Sequence, residues 1–443
     1  MSKRITAIIV GAGHRGLCYA NYARQHPDEL KIVGVADPNE WRRKQTADIY
    51  GFGHEMCFES AEELASKGQL ADAIINATMD TEHVPTSLPL LEAGYHMLLE
   101  KPIATRESEV RALLAAARKH KRTVMICHVL RYAPFYAAIR QKVLDGEIGE
   151  ITNVMTVENV SYHHMGSCFV RGKWSKSDDG ISMLMAKCCH DLDLITWMKS
   201  GIRPLKVASF GGLMHFKPEN APTGSGSRCL VDCSIEQTCA YSCRKHYIEQ
   251  GLWAFYAWQS IEHEDQSVEN KLRSLREDNP HGRCVWRCDN DVVDHQTAII
   301  EFADGSTASH NMNGGTSRPC RSIHLVGTTG EIQGVMEEGS FVVRHPDARA
   351  GHEYSEDKWD VNVTGEGHGG GDLRLVADFV HTLQGKPRSI SCTDLEDSIF
   401  GHLIGFAADR ARIEHNCVEI VDQTRSMARV CHPELDSGPR PGC

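Results

Sequence analysis

The sequence predicts an α/β protein with two sheets in series: a parallel, doubly wound sheet in the first third and an open, mostly antiparallel sheet behind it. Three observations carry this. Residues 1–128 alternate apolar runs with helix-like stretches, the first run ends in a glycine-rich turn that opens a helix, and beyond about Arg131 the pieces lengthen and strands follow one another through tight turns.

The elements follow in order. "ITAIIV", "LKIVGVAD", "ADAIINAT", "HMLLEKP" and "TVMICHV" are near-continuous apolar runs, as expected of parallel strands covered on both faces, with helices between them at 40–50, 84–93 and 106–120. A helix near 134–145, a strand at 151–160 and a helix at 182–199 come next. Strands around 292–303, 305–313 and 321–327 include the hairpin-like "EFADGSTASHNM". Residues 213–290, rich in Gly, Pro, Cys and charge, read as an insertion holding one or two helices. Helices at 372–384 and 394–414 precede the tail "HPELDSGPRPGC". The predicted units are therefore a first domain over 1–130, a second over 131–430, and a disordered tail over 431–443.

Composition narrows the function. The 443 residues are 41% hydrophobic and 24% charged, an ordinary globular balance. Lys and Arg total 48 against 59 Asp and Glu, for a net charge of −11, and no basic run carries interleaved aromatics, which argues against nucleic-acid partners. With no leader-like start and no long uncharged apolar run, the expectation is a cytoplasmic protein without a membrane partner. Seventeen scattered cysteines fit reduced thiols or a metal site better than a disulfide framework.

"GAGHRG" at 11–16 is G-x-G-x-x-G placed between a strand and a helix. Gly11 permits the tight turn, Gly13 lets backbone approach a pyrophosphate, Gly16 lets helix meet strand, and His14 and Arg15 sit in the same turn. Asp37 ends the second strand, where a carboxylate accepts hydrogen bonds from ribose hydroxyls and repels a ribose phosphate. That favours NAD over NADP, with Arg42 and Arg43 as the discordant neighbours. "LLEKP" at 98–102 then sets Glu100 and Lys101 at the carboxyl edge of the sheet, where packing explains a lysine poorly.

Taken together, "VGAGHRG", "ATMDTEH" at 77–83, "EKP" and "HDLDLITW" at 190–197 resemble the Gfo/Idh/MocA family of sugar and inositol oxidoreductases. The resemblance implies a Rossmann domain, a second domain with an open sheet used for homo-oligomers, and a small sugar or glycoside bound between the domains. It also implies a nicotinamide coenzyme in contact with Thr78, His83, Glu100 and Lys101, and assigns Lys101 and His190 to catalysis. One position departs from the family. The aspartate usual four residues before the histidine is Ala186, with Lys187 beside it. At about 100° per residue, Lys187, His190, Asp191 and Leu194 share a helix face while Cys188 and Cys189 diverge. The segment therefore reads as a proton relay, ahead of buried structural cysteines and of a metal or thiolate nucleophile. A lysine base needs its pKa lowered from about 10.4 toward 7, on the order of 4 kcal/mol, and a second ammonium nearby acts in that direction.

The candidate substrate residues are Arg131 and Tyr132 in "LRYAPF", Tyr162, His163, His164, Arg171 and Trp174 in "ENVSYHHMGSCFVRGKW", Asp191, and His368 in "GEGHGGGDLRLVADF", where Asp372 is a helix cap. In the insertion, Cys229, Cys233, Cys239 and Cys284 form a candidate structural zinc set, with Cys243 and Cys288 nearby. Three reactions fit these residues. The first moves hydride from a secondary sugar hydroxyl, at the third carbon, to NAD. The second is the redox-neutral glycosidase cycle of a small related group, which oxidises, eliminates, hydrates and re-reduces. The third is a non-catalytic NAD sensor, which leaves Lys101, Lys187 and His190 without work.

Overall fold

The computed structural model describes residues 3–177, 181–361 and 367–421; the predicted tail at 431–443 lies outside the described residues. The first sheet comprises β1 (Ile5–Val10), β2 (Leu30–Ala36), β3 (Cys57–Phe58), β4 (Ala73–Asn76), β5 (His96–Leu99) and β6 (Val124–Ile126). All its pairings are parallel, in the order β3-β2-β1-β4-β5-β6. The order reverses between β1 and β4, so a crevice opens at their carboxyl ends. Apolar residues are buried on both faces, Ile8 in one core cluster and Ile9 in the other, which is why these strands lack polar alternation.

The second sheet has nine strands: β7 (Ile151–Ser161), β8 (Pro204–Gly212), β9 (His295–Phe302), β10 (Thr307–Thr316), β11 (Cys320–Gly327), β12 (Glu331–Val335), β13 (Ser340–Pro346), β14 (Tyr354–Asp360) and β15 (Cys417–Glu419). Their order is β14-β13-β12-β11-β7-β10-β9-β8-β15, antiparallel throughout except for the β7–β10 pair. The Met183–Met198 helix packs on this sheet, capped by Ser182, whose hydroxyl accepts from the Met185 amide at 3.2 Å. Fifteen of its sixteen residues are buried, and Lys187 is the exception. A helix apolar nearly all round belongs inside a core.

Of the two carboxyl-terminal helices, both assigned by the sequence to the second domain, one packs on the first sheet and the other spans both cores. The Gly367–Leu383 helix, interrupted by left-handed backbone at His368, Gly369 and Gly370, buries Leu375, Val376, Phe379 and Val380 in the core of the first sheet. Burying one such side chain contributes about 1.5–3 kcal/mol, so docking is strongly favoured. The Leu395–Glu414 helix places Leu395 and Ile399 in the first domain's core and Ile404, Ala407 and Ala408 in the second. The insertion holds one nine-residue helix, Val268–Arg276, among short turns. No helix among the described residues is long and apolar enough to cross a membrane.

Candidate active site

A cavity of 1720 Å³ runs from the glycine turn after β1 to the Met183–Met198 helix. At Gly11, φ is +85°, and an added Cβ would lie 2.6 Å from the Ala77 carbonyl oxygen; at Gly16 it would lie 2.3 Å from that of Gly11. Both glycines are required by close packing. At Gly13 the nearest atom is an Arg42 guanidinium nitrogen at 3.8 Å, so the backbone there faces open cavity. The His14–Ala20 helix has no side-chain cap, leaving its first amides without a side-chain acceptor. This cradle fits a dinucleotide's diphosphate. Asp37 is 4% exposed; Oδ2 accepts from the Ala12 amide and Oδ1 from the Asn39 amide, each at 2.8 Å. Each oxygen keeps a second lone pair for a ribose hydroxyl.

The neighbouring side chains divide. Thr78 and Glu100 line the cavity. The His14 ring stacks on Phe255 of the insertion at 4.3 Å. Arg15 is turned inward, donating to Asp372 Oδ1 at 2.7 Å and to Glu100 Oε1 at 3.3 Å, so its guanidinium holds the floor together and does not reach for phosphate. His83 was expected to contact the coenzyme. Instead it is fully buried off the cavity, its ring nitrogens 2.6 Å from the Pro102 carbonyl and 3.2 Å from that of Thr78, so it braces the two loops against each other.

At the far end Lys101, Lys187, His190 and His368 all face the cavity. Lys101 Nζ donates to the Ala186 carbonyl at 2.9 Å, using backbone at the position where the sequence lacks the aspartate. The Lys101–Pro102 bond is cis. Burial, with the Lys101 charge adding, holds His190 well below the usual histidine range, and its Nδ1 has no hydrogen-bond partner. His368, at φ +51° in the glycine-rich loop, has its ring centred 5.6 Å from that of His190. Its Nδ1 lies 3.2 Å from Asp372 Oδ1. Burial lowers the pKa of His368 while Asp372 opposes the shift. Burial alone would raise Asp372, but His368 and Arg15 outweigh it and keep the carboxylate ionised. The Asp372 carboxylate, expected to cap a helix, instead pairs with Arg15 and His368.

Lys187 does not stand free beside Lys101. Its Nζ is 3.1 Å from Glu158 Oε1, and Glu158 Oε2 is 2.6 Å from Arg321 Nε, which also lies 3.2 Å from Asp191 Oδ1. Burial penalises the charge on Glu158, yet Arg321 and Lys187 bring its pKa down; Asp191 is pushed up by burial, with Glu158 adding and Arg321 opposing. Sequence reasoning missed Glu158 and Arg321, although a signal was present. Glu158 shares the inward phase of β7 with Val154 and Val160, and Arg321 that of β11 with Ile323 and Leu325. A charge in an apolar register needs a partner, and the register sets these two directly opposite each other. Trp253, Phe255 and Tyr256 of the insertion also line the cavity. Nothing local marked them as cleft residues.

Of the substrate candidates, His163, His164 and Trp174 line the cavity, with His164 stacked on Trp253 at 3.6 Å. Five others do not line it. Arg131 is 1% exposed and forms a bidentate pair with Asp193, at 2.7 and 2.6 Å, plus a 2.6 Å bond to Asp397. Buried Tyr132 donates to Asp378 Oδ2 at 2.8 Å. Tyr162 packs edge-on against Tyr241, and Arg171 is committed to the carbonyls of Arg283 and Tyr241 at 2.7 and 2.8 Å. Asp191 lies behind Arg321. The polar groups of Arg131, Tyr132 and Arg171 are thus already occupied within the fold.

The expected zinc set is not gathered. Among the described residues, no three of Cys229, Cys233, Cys239 and Cys284 bring their sulfurs within 4.8 Å of one another. Cys229 Sγ instead accepts from Arg171 at 3.5 Å, and Cys239 Sγ accepts from the Tyr241 amide at 3.3 Å. The group that does converge is Cys188, Asp191 and His310, all buried. Burial keeps the Cys188 thiol protonated and Arg321 already occupies Asp191, which argues against a cation there.

The glycine cradle, the acid at the end of β2 and the lysine at the edge of β5 define a dinucleotide-binding oxidoreductase. Over residues 5–128 the chain matches GFO_IDH_MocA, the oxidoreductase family with an NAD-binding Rossmann fold. It is 26% identical to YteT of Bacillus subtilis (strain 168) over 319 residues, 70% of this chain and 72% of YteT. It is 27% identical to the inositol 2-dehydrogenase of Corynebacterium glutamicum (strain ATCC 13032) over 211 residues, 47% of this chain and 57% of that protein's length. Its fold matches levoglucosan dehydrogenase in complex with NADH with a TM-score of 0.69 at 15% identity, covering 95% of this chain and all of the other.

Proposed function

We propose that the protein moves hydride between a secondary hydroxyl, at the third carbon of a sugar or glycoside, and NAD. The observation that carries this reading is the shared cavity, which joins the Gly13 cradle and Asp37 to Lys101 and His190. Gly13, Asp37 and the first-turn amides would hold the coenzyme, whose nicotinamide supplies the hydride acceptor. Lys101 takes the hydroxyl proton, oriented by the Ala186 carbonyl. His190, unprotonated and unpartnered at Nδ1, positions the same hydroxyl or shares its proton. Lys187 acts through Glu158 as a fixed charge near the substrate, and His163, His164, Trp174 and His368 supply polar and aromatic walls. Relatives acting on inositol and levoglucosan support a polyhydroxylated ring as substrate.

The His368–Asp372 pair beside His190 supports a second reading, the redox-neutral glycosidase, because elimination of an aglycone needs another acid and base. One experiment separates the two. The protein is incubated with free sugars and aryl glycosides, with and without NAD, following 340 nm absorbance and aglycone release together. Stoichiometric NADH without aglycone establishes the dehydrogenase; aglycone release without net NADH establishes the glycosidase; neither signal across the panel removes both.

A homo-oligomer through the open sheet belongs to the same proposal. Phe210 of β8 and Ile299 of β9 are 70% and 52% exposed on strands whose alternate residues are buried.

A further inference from the structure

Arg42 and Arg43 follow Asp37 closely, and Arg42 lines the end of the cavity where the adenosine ribose of a dinucleotide belongs. A free guanidinium there would grip a ribose 2′-phosphate through two parallel hydrogen bonds and favour NADP. Neither guanidinium is free. Arg43 donates to the carbonyls of Asp37 at 2.7 Å and Pro38 at 3.1 Å, binding it to its own turn. Arg42, nearest to the open face of Gly13, is engaged from outside the first domain. Its Nε donates to Glu262 Oε1 at 2.8 Å and a terminal nitrogen donates to Oε2 at 3.1 Å. The Asn39 side-chain Nδ2 donates to the same Oε1 at 3.0 Å. The insertion that carries Glu262 is anchored over this end by Phe255, which stacks on His14.

We propose that Glu262 is the coenzyme-specificity residue of this protein: it occupies the fork of Arg42 and sets a carboxylate where a 2′-phosphate would lie. This rests on the coenzyme reading above. Two effects act in the same direction. The fork is not available to phosphate, and the added negative charge repels one. Because the carboxylate comes from a remote insertion, coenzyme choice is coupled to how the insertion sits over the cleft.

The test is calorimetric titration of the full chain with NAD and with NADP. Wild type should bind NAD more tightly. Glu262→Gln, which keeps the shape and removes the charge, should tighten NADP about tenfold or more while moving NAD by less than about threefold, so the NAD titration also reports that the variant is folded. Adding Arg42→Leu to Glu262→Gln should abolish the gain, and Glu262→Asp should retain discrimination. A measurement that leaves Glu262 intact stands beside these: Arg42→Leu alone should not tighten NADP and should weaken it, because the Glu262 carboxylate then stands unneutralised. Unchanged NADP affinity in Glu262→Gln, a gain that persists without Arg42, or equal wild-type affinities would overturn the inference and leave the NAD site standing. Failure of wild type to bind NAD would overturn the coenzyme reading and this inference with it.

Discussion

Lys101 Nζ lies 2.9 Å from the carbonyl oxygen of Ala186, so the lysine two residues beyond the first domain's fifth strand is aimed by the first turn of a helix in the second. Its ammonium has no carboxylate partner at that contact, and the bond holds it at the cavity wall beside His190. Lys101→Ala should therefore lower kcat about 100- to 10,000-fold, the usual range for one positioned acid or base, with NAD affinity nearly unchanged. Steady-state kinetics beside a binding titration checks this; full activity in the variant rejects the proton-transfer role.

Asp37→Ala removes the carboxylate nearest the ribose position. NAD should bind about ten- to a hundredfold more weakly, with NADP losing less, because only NAD exploits the acceptor. The same substitution leaves the buried Ala12 amide without its partner, so part of the loss reflects a looser glycine turn. Equal, unaltered affinity for both coenzymes would place the ribose acceptor elsewhere.

Arg131 should behave as a structural residue. Arg131→Leu strands Asp193 in a core where both side chains are 1% exposed. The expected loss is about 3–5 kcal/mol of unfolding free energy, seen as a lower denaturant midpoint, with the KM of the remaining folded protein unchanged. A raised KM at unchanged stability would restore the substrate role read from sequence.

The thiols of the insertion offer a chemical test. Because the sulfurs of Cys229, Cys233, Cys239 and Cys284 do not converge, a chelator should leave the Tm within about 1 °C, and elemental analysis should find no stoichiometric zinc. A fall of several degrees on chelation would show that a metal draws them together.

Light scattering at dilute concentration should report a multiple of 49.2 kDa, since the exposed Phe210 and Ile299 favour a covered sheet face. Charged substitutions at both positions should dissociate it; a 49.2 kDa species in the unaltered protein contradicts the proposal.

The features legible in the sequence are those whose physics is local. Continuous apolar runs separated by helical periods specify a parallel sheet, because a strand covered on both faces cannot alternate. The glycine turn is likewise written in its own six residues, since Gly11 and Gly16 touch backbone closer than any side chain allows. The helix beginning "MLMAKCCHDLD" could be read as buried for the same reason, with Lys187 its one residue outside the buried class. The roles of its charges could not be read. Whether Lys187 faces Lys101 or Glu158, and whether Arg131 meets substrate or Asp193, depends on which distant strand or helix lies opposite. The same holds for the insertion, whose composition marks it as irregular but whose Phe255 and Glu262 gain meaning only beside His14 and Arg42. Periodicity is a property of neighbours in the chain. The partner of a buried charge is set by register and packing between segments far apart in it, and desolvation makes that partner matter most.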